Sequence, residues 1–201
     1  MEKRFAHHLW TKIRPVKVWY LLAIFLFSAT MSVMALRDNN IKMIQLRDEV
    51  YKADELNTDV EASLQRLRQH VYSHMNSDLS TGNNVYPPIQ LKFTYQRLVT
   101  AEKERVKQVT AQTYTEAQRY CEQQNPSGFS GRGRVPCIEE YVKNHGATER
   151  QIPDAMYKFD FVSPRWSPDL AGFSLVISIV SFILLALRVV AGKVLKAWSK
   201  T

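Results

Sequence analysis

The sequence predicts a mainly α-helical protein: two transmembrane helices flanking an extracytoplasmic helical hairpin or bundle with a long first helix, a short third helix and an extended return strap. Three observations predict it. Two uncharged apolar stretches lie near the ends of the 201-residue chain. The segment between them carries apolar residues at helical spacing. The formal net charge of +8 is concentrated in two short tails. The reading divides the chain into a basic cytoplasmic tail (1–17), a first transmembrane helix (18–36), an extracytoplasmic helical domain (37–168), a second transmembrane helix (170–190) and a second basic cytoplasmic tail (191–201).

The first span is VWYLLAIFLFSATMSVMAL, 19 residues without a charge, and the second is LAGFSLVISIVSFILLAL, 18 residues without a charge. A helix rises about 1.5 Å per residue, so a hydrocarbon core of about 30 Å takes about 20 apolar residues. Trp19, Tyr20, Trp166 and Trp198 stand where interfacial aromatics anchor a span. The first stretch is longer than the apolar region of a cleaved signal peptide, which favours an uncleaved anchor.

Beyond Arg37 a heptad seam runs through Met43, Leu46, Val50, Ala53, Asn57, Val60, Leu64, Leu67, Val71 and His74. No Pro or Gly interrupts Val18 to Thr81. The spacing therefore predicts one helix running from the membrane to about Asp78, with Asn57 as a buried polar seam residue. The seam is filled either by another helix of the same chain or by a second copy. Ser80 to Pro88 is a turn by composition. A second helix from about Gln90 to Gln124 forms the other arm of the hairpin. A loop at Asn125–Pro136 precedes a short helix from Ile138 to about His145, closed by Gly146. Ile152 to Pro168, with three prolines among aromatic residues, reads as the return strap.

Charge distribution narrows the function. Segments 1–17 and 188–201 each carry a net charge of +4, whereas 37–168 carries only +1. This argues against nucleic acid as a partner of the middle segment. Lys3, Arg4, Lys12, Arg14 and Lys17 at one end, and Arg188, Lys193 and Lys196 at the other, suit the anionic inner leaflet. They place both termini in the cytoplasm and the protein in the plasma (inner) membrane. Cys121 and Cys137, both in the middle segment, form a disulfide if that segment faces an oxidising compartment.

Chemistry-bearing patterns are sparse. His70 and His74, four residues apart on one helix face, with Asp78 beyond them, are the candidate ligand or metal set. Arg132 and Arg134, in the Gly-rich cysteine loop, are the candidate anion-binding pair. That loop lacks the Lys-Ser/Thr of a P-loop. No nucleophile elbow or dinucleotide fingerprint is present, so neither a catalytic residue nor a cofactor or bound metal is expected, and no enzyme.

The order of span, long helix, return helices and span resembles the architecture of bacterial chemoreceptor and histidine-kinase sensor modules. Only 14 residues follow Leu187, so no relay domain is expected. The segments HVYSHMNSDL, PPIQLKFTYQRL, CEQQNPSGFSGRGRVPC and YKFDFVSPRWSPDLAG are similar to a family of bacterial two-pass membrane proteins across residues 60–175. That resemblance implies the architecture and no activity. The expected function is that of a non-enzymatic, bilayer-integral scaffold, accessory or assembly subunit. Its outer domain would bind a membrane or extracytoplasmic protein, or a second copy of itself. The alternative is a sensor of a ligand or stress that signals through a membrane partner.

Overall fold

The computed structural model describes residues 17–79, 86–124 and 131–198. Its elements, in chain order, are α1 (Val18–Leu56), α2 (Val60–Ser73), β1 (Ile89–Gln90), α3 (Lys92–Gln124), α4 (Gly131–His145), a 3-10 turn (Asp154–Met156), β2 (Lys158–Phe159) and α5 (Leu170–Trp198). The fold is mainly helical, as the periodicity predicts. Helices α1 and α5 are both long and apolar enough to cross a membrane, with mean hydropathy of 1.9 and 2.6 in their most apolar windows. The chain forms two compact units. The first comprises 1–52, 59–84 and 160–201, and the second comprises 53–58 and 85–159.

The single long helix expected from Val18 to Asp78 is broken. Helix α1 ends at Leu56, and Asn57 takes a left-handed conformation with φ of 53°. The Thr58 N–H donates to the Ala53 carbonyl at 3.0 Å and the Asn57 N–H to Asp54 at 3.4 Å, a Schellman closure of the helix. Asp59 then starts α2, its carboxylate accepting from the Ala62 N–H at 3.0 Å. Asn57-Thr58-Asp59 is thus a stop signal followed by a start signal. Asn57 is exposed, not a buried seam residue. An Asn57→Ala variant is expected to lose about 1–2 kcal/mol, because a Cβ next to an unassisted backbone resists the left-handed region, while Asn57→Gly stays near wild type. Denaturant titration of the full chain separates the two.

In the first unit α2 folds back along α1. Arg66 pairs with Glu49 at 3.5 Å, His70 Nε2 lies 2.9 Å from the Asn39 carbonyl oxygen, and Asn76 Nδ2 donates to the Leu36 carbonyl at 3.0 Å. The residue numbers fall on one arm as they rise on the other, so the arms are antiparallel. The return arm of α1 is therefore α2 and not the 92–124 helix. The predicted seam divides accordingly: Met43, Leu46 and Val50 from one arm and Leu64, Leu67 and Val71 from the other are all buried, and Val60 is half-buried. At these six residues the apolar face is covered within one chain.

Helix α5 also lies antiparallel to α1. The rings of Phe25 and Phe182 are 5.5 Å apart, and Ala35 packs with Ala171 and Met75. Ser28 and Ser32 on α1, with Ser174, Ser178 and Ser181 on α5, are buried. Small residues let two apolar helices approach closely where no water drives them together. The large side chains Phe27, Val33, Phe173, Ile177, Val180 and Leu184 point outward.

The second unit is a separate helical hairpin. Helix α3 pairs with α4, which begins at Gly131 rather than at Ile138. Gly131, Gly133 and Pro136 are poor helix formers, so this turn is unreadable from propensity. It is held beside α3 by the Cys121–Cys137 bond. At the other end β1 and β2 form a two-residue antiparallel ladder, Ile89 with Phe159 and Gln90 with Lys158. The strap is therefore not uniformly extended, because it contains the 3-10 turn and β2.

Candidate functional site

Three clusters bring together residues with chemical potential. The first contains the histidine pair. His70 and His74 stack with ring centroids 4.4 Å apart. Since the Asn39 carbonyl can only accept, His70 Nε2 carries the proton in that contact. His74 Nδ1 lies 3.0 Å from the His70 carbonyl oxygen and 2.8 Å from Ser73 Oγ. Asp78 is not part of this pair. It accepts from the Ser163 N–H at 3.1 Å and from Ser163 Oγ at 2.7 Å. Among the described residues no group of three or more His, Cys, Asp or Glu side chains is placed to hold a metal ion. Of the expected set, His70 and His74 thus form a ring stack and Asp78 accepts from Ser163.

Next to the stack is a polar tie that periodicity did not reveal. Asn39 Nδ2 donates to the Met75 carbonyl at 3.2 Å and to Asp169 Oδ2 at 2.9 Å. Asp169 Oδ1 accepts from Ser167 Oγ at 2.9 Å and from the Gly172 N–H at 2.9 Å, which caps α5. Ser167 Oγ in turn accepts from the buried Met75 N–H at 3.0 Å. A Cβ on Gly172 would overlap the Ser167 carbonyl oxygen, so only glycine fits there. Burial pushes the Asp169 carboxyl up, but the bonds from Gly172, Asn39 and Ser167 outweigh it and hold it below the usual range.

Burial lowers the His70 pKa from its ordinary 6.5. The Asn39 contact opposes this, and the charges of His74 and Lys42 reinforce it. A folded-state pKa below the unfolded one means the unfolded chain binds the proton first. The stability linked to His70 is thus complete above about 6.5 and is lost as pH falls from there through the folded value. The thermal midpoint of the full chain is expected to drop between pH 7.5 and 5.5, and His70→Gln to flatten that part of the profile. Equal slopes in the two proteins would exclude His70 as the cause.

The second cluster lies at the disulfide. Cys121 is fully buried and bonded to Cys137. Tyr120 on α3 packs on Tyr141 of α4 with centroids 5.3 Å apart, and Tyr141 stacks on His145 at 4.3 Å. Gln124 Nε2 donates to the Tyr120 hydroxyl at 3.0 Å. The result is a three-ring strip on the surface, with Tyr120 46% exposed. Arg134, the described member of the expected anion-binding pair, lies 3.3 Å from Glu122. The side chain of Arg132 lies outside the described residues, as do Lys3, Arg4, Lys12, Arg14 and the side chain of Lys196. Lys17 and Lys193 are exposed and Arg188 is half-buried.

The third cluster ties the segment just before the strap to α3. The Glu102 carboxylate accepts from Arg105 Nε at 2.8 Å, from Arg105 Nη2 at 2.6 Å and from the Arg150 N–H at 2.8 Å. Arg105 Nη2 also donates to the Thr148 carbonyl at 3.0 Å. The Arg105 guanidinium, helped by the Arg150 N–H, holds the Glu102 carboxyl at about 2. The Glu102–Arg105 spacing of three is a local helix signal, but their partners at Thr148 and Arg150 are more than 40 residues away and have none.

Fold and clusters together define a helical protein with two helices able to cross a membrane and a disulfide-bonded hairpin between them in sequence. Comparison of the chain with protein-family models, curated proteins and solved structures finds no match.

Proposed function

We propose that the chain is a non-enzymatic, two-pass membrane protein whose helical domain, residues 37–168, lies outside the cytoplasm and docks a protein partner as a scaffold, accessory or assembly subunit. Both termini lie in the cytoplasm, at the plasma (inner) membrane. Several features support this reading. The apolar side chains facing outward from α1 and α5 suit lipid. The antiparallel pairing of these helices puts their charged ends on one side. The disulfide suits an oxidising compartment.

The observation that carries the docking role is the strip of Tyr120, Tyr141 and His145. Exposed tyrosines on a rigid support are the usual anchors of protein interfaces, since a large ring is ordered at small entropic cost. Here the disulfide provides the support. The test is a photo-crosslinking residue at position 120 of the full chain in its native membrane. The expected result is one discrete product, identified by mass spectrometry, that disappears when Tyr141 and His145 are replaced by Ala. A second copy of the chain would appear as a doubled mass. A probe that returns only uncrosslinked monomer, or a product indifferent to those replacements, overturns the proposal.

A further inference from the structure

The second unit contains a half-open cavity of about 400 Å³, bounded by Tyr95, Val99 and Lys103 on α3, by Glu149 and Arg150 just before the strap, and by Ile152 and Tyr157 in it. Helix α3 rises about 1.5 Å per residue, so Lys103 and Tyr120 are some 25 Å apart along it. The cavity is thus separate from the aromatic strip and independent of its role.

Three features of the cavity limit its ligand. Part of its lining is apolar and aromatic: Tyr95 and Tyr157 pair with centroids 4.6 Å apart, and Val99 and Ile152 also line it. The Tyr157 hydroxyl is directed to Asp154 at 2.8 Å and so is already engaged. Its other carboxylate, Glu102, is already ion-paired with Arg105 and accepts from the Arg150 N–H. Its remaining charges are Lys103, Arg150 and Glu149, none of which forms a salt bridge among the described residues. Two cations, Lys103 and Arg150, thus line the cavity beside Glu149, with the Arg150 charge also acting on Glu102. The volume is at the small end of ligand cavities, room for about one residue-sized molecule.

We propose that this cavity binds an apolar or aromatic residue through its free α-carboxylate, with Lys103 and Arg150 taking the carboxylate and Tyr95, Val99, Ile152 and Tyr157 taking the side chain. A planar guanidinium suits a carboxylate by two parallel hydrogen bonds. The same chemistry is offered by a free amino acid, whose ammonium group Glu149 would take, and by the C-terminus of a peptide, which has none.

The test uses the full chain in nanodiscs, with calorimetric titration of L-phenylalanine, N-acetyl-L-phenylalanine and L-phenylalaninamide. At least one of the two acids is expected to saturate the protein, and the amide to bind at least tenfold more weakly. Arg150→Gln and Lys103→Gln are each expected to weaken acid binding about tenfold. Arg150 is tied to Glu102 through its backbone N–H, so its side chain can be changed without cutting that tie. An unaltered thermal midpoint verifies this. Preference for the free amino acid, erased by Glu149→Gln, assigns that source, and equal or tighter binding of the N-acetyl form assigns a peptide C-terminus. Failure of both acids to saturate, amide binding equal to acid binding, or full affinity in both charge variants overturns the proposal.

Discussion

Replacing Cys121 and Cys137 by serine is expected to lower the stability of the α3–α4 hairpin by about 3 kcal/mol. The bond closes a loop of sequence separation 16, and the chain-entropy account assigns about that much to a loop of about 15 residues. Few other restraints act at that end. Of α3, only Thr113, Ala117 and Cys121 are buried; the half-exposed Glu122–Arg134 pair and the Tyr120–Tyr141 packing are the other ties there, and the next ones along α3 are Arg105 with Thr148 and Glu102 with Arg150. For a small unit each kcal/mol shifts the melting midpoint by about 4–8 °C. Circular dichroism melts of the full chain, with and without reductant, measure the effect. Identical midpoints in both conditions would show that the bond does not hold the hairpin. Full thiol reactivity without reductant would show that it does not form.

The second large effect is expected at Asp54. This carboxylate is 2% exposed, and every bond it makes goes to the start of α3. Oδ2 accepts from the Phe93 N–H at 2.9 Å, and Oδ1 from the Thr94 N–H at 2.7 Å and Thr94 Oγ1 at 2.6 Å. Arg97 Nη2 reaches Oδ1 at 2.9 Å and Nη1 reaches the Asp54 carbonyl at 3.0 Å. A negative charge at a helix N-terminus also meets the favourable end of the dipole. Asp54→Ala is expected to cost about 1–3 kcal/mol, because the buried carboxylate is removed and the Phe93 and Thr94 N–H donors it served stay behind. Asp54→Asn, which keeps shape and one acceptor, should cost less. Adding Arg97→Ala to Asp54→Ala should cost less than the sum of the two single variants, since the first change has already lost the pair. Strict additivity in urea titrations would rule out the coupling.

How much of this was legible in the sequence depends on the range of the interaction. The two apolar helices, the second helix, the cysteine pair and the histidine face all follow from spacings of a few residues, and all are found. The break at Asn57 was legible in principle. A left-handed former followed two residues later by a helix-starting Asp is a local signal, and only the unbroken apolar register concealed it. The Asp54 cap was legible only as a gap. Leu91, directly before α3, cannot cap a helix, so the missing oxygen had to come from elsewhere, but no local rule says from where. The Asn39–Asp169 bond spans 130 residues, and the Glu102 clamp spans 48. Such pairings depend on which helix folds back on which, and an early turn at Asn57 changes that choice for everything after it.

The bond from Asn39 to Asp169 has a mechanical consequence. It fastens α1 to the first turn of α5, and Met75 and Ser167 strengthen the knot. A piston stroke of α5 by one helical turn, about 5.4 Å, would tear the Asn39 and Ser167 contacts and drag the close-fitted serines out of register. Tilting both helices together breaks none of these bonds. The knot therefore opposes the sliding of one helix past the other more than a joint lean of the pair.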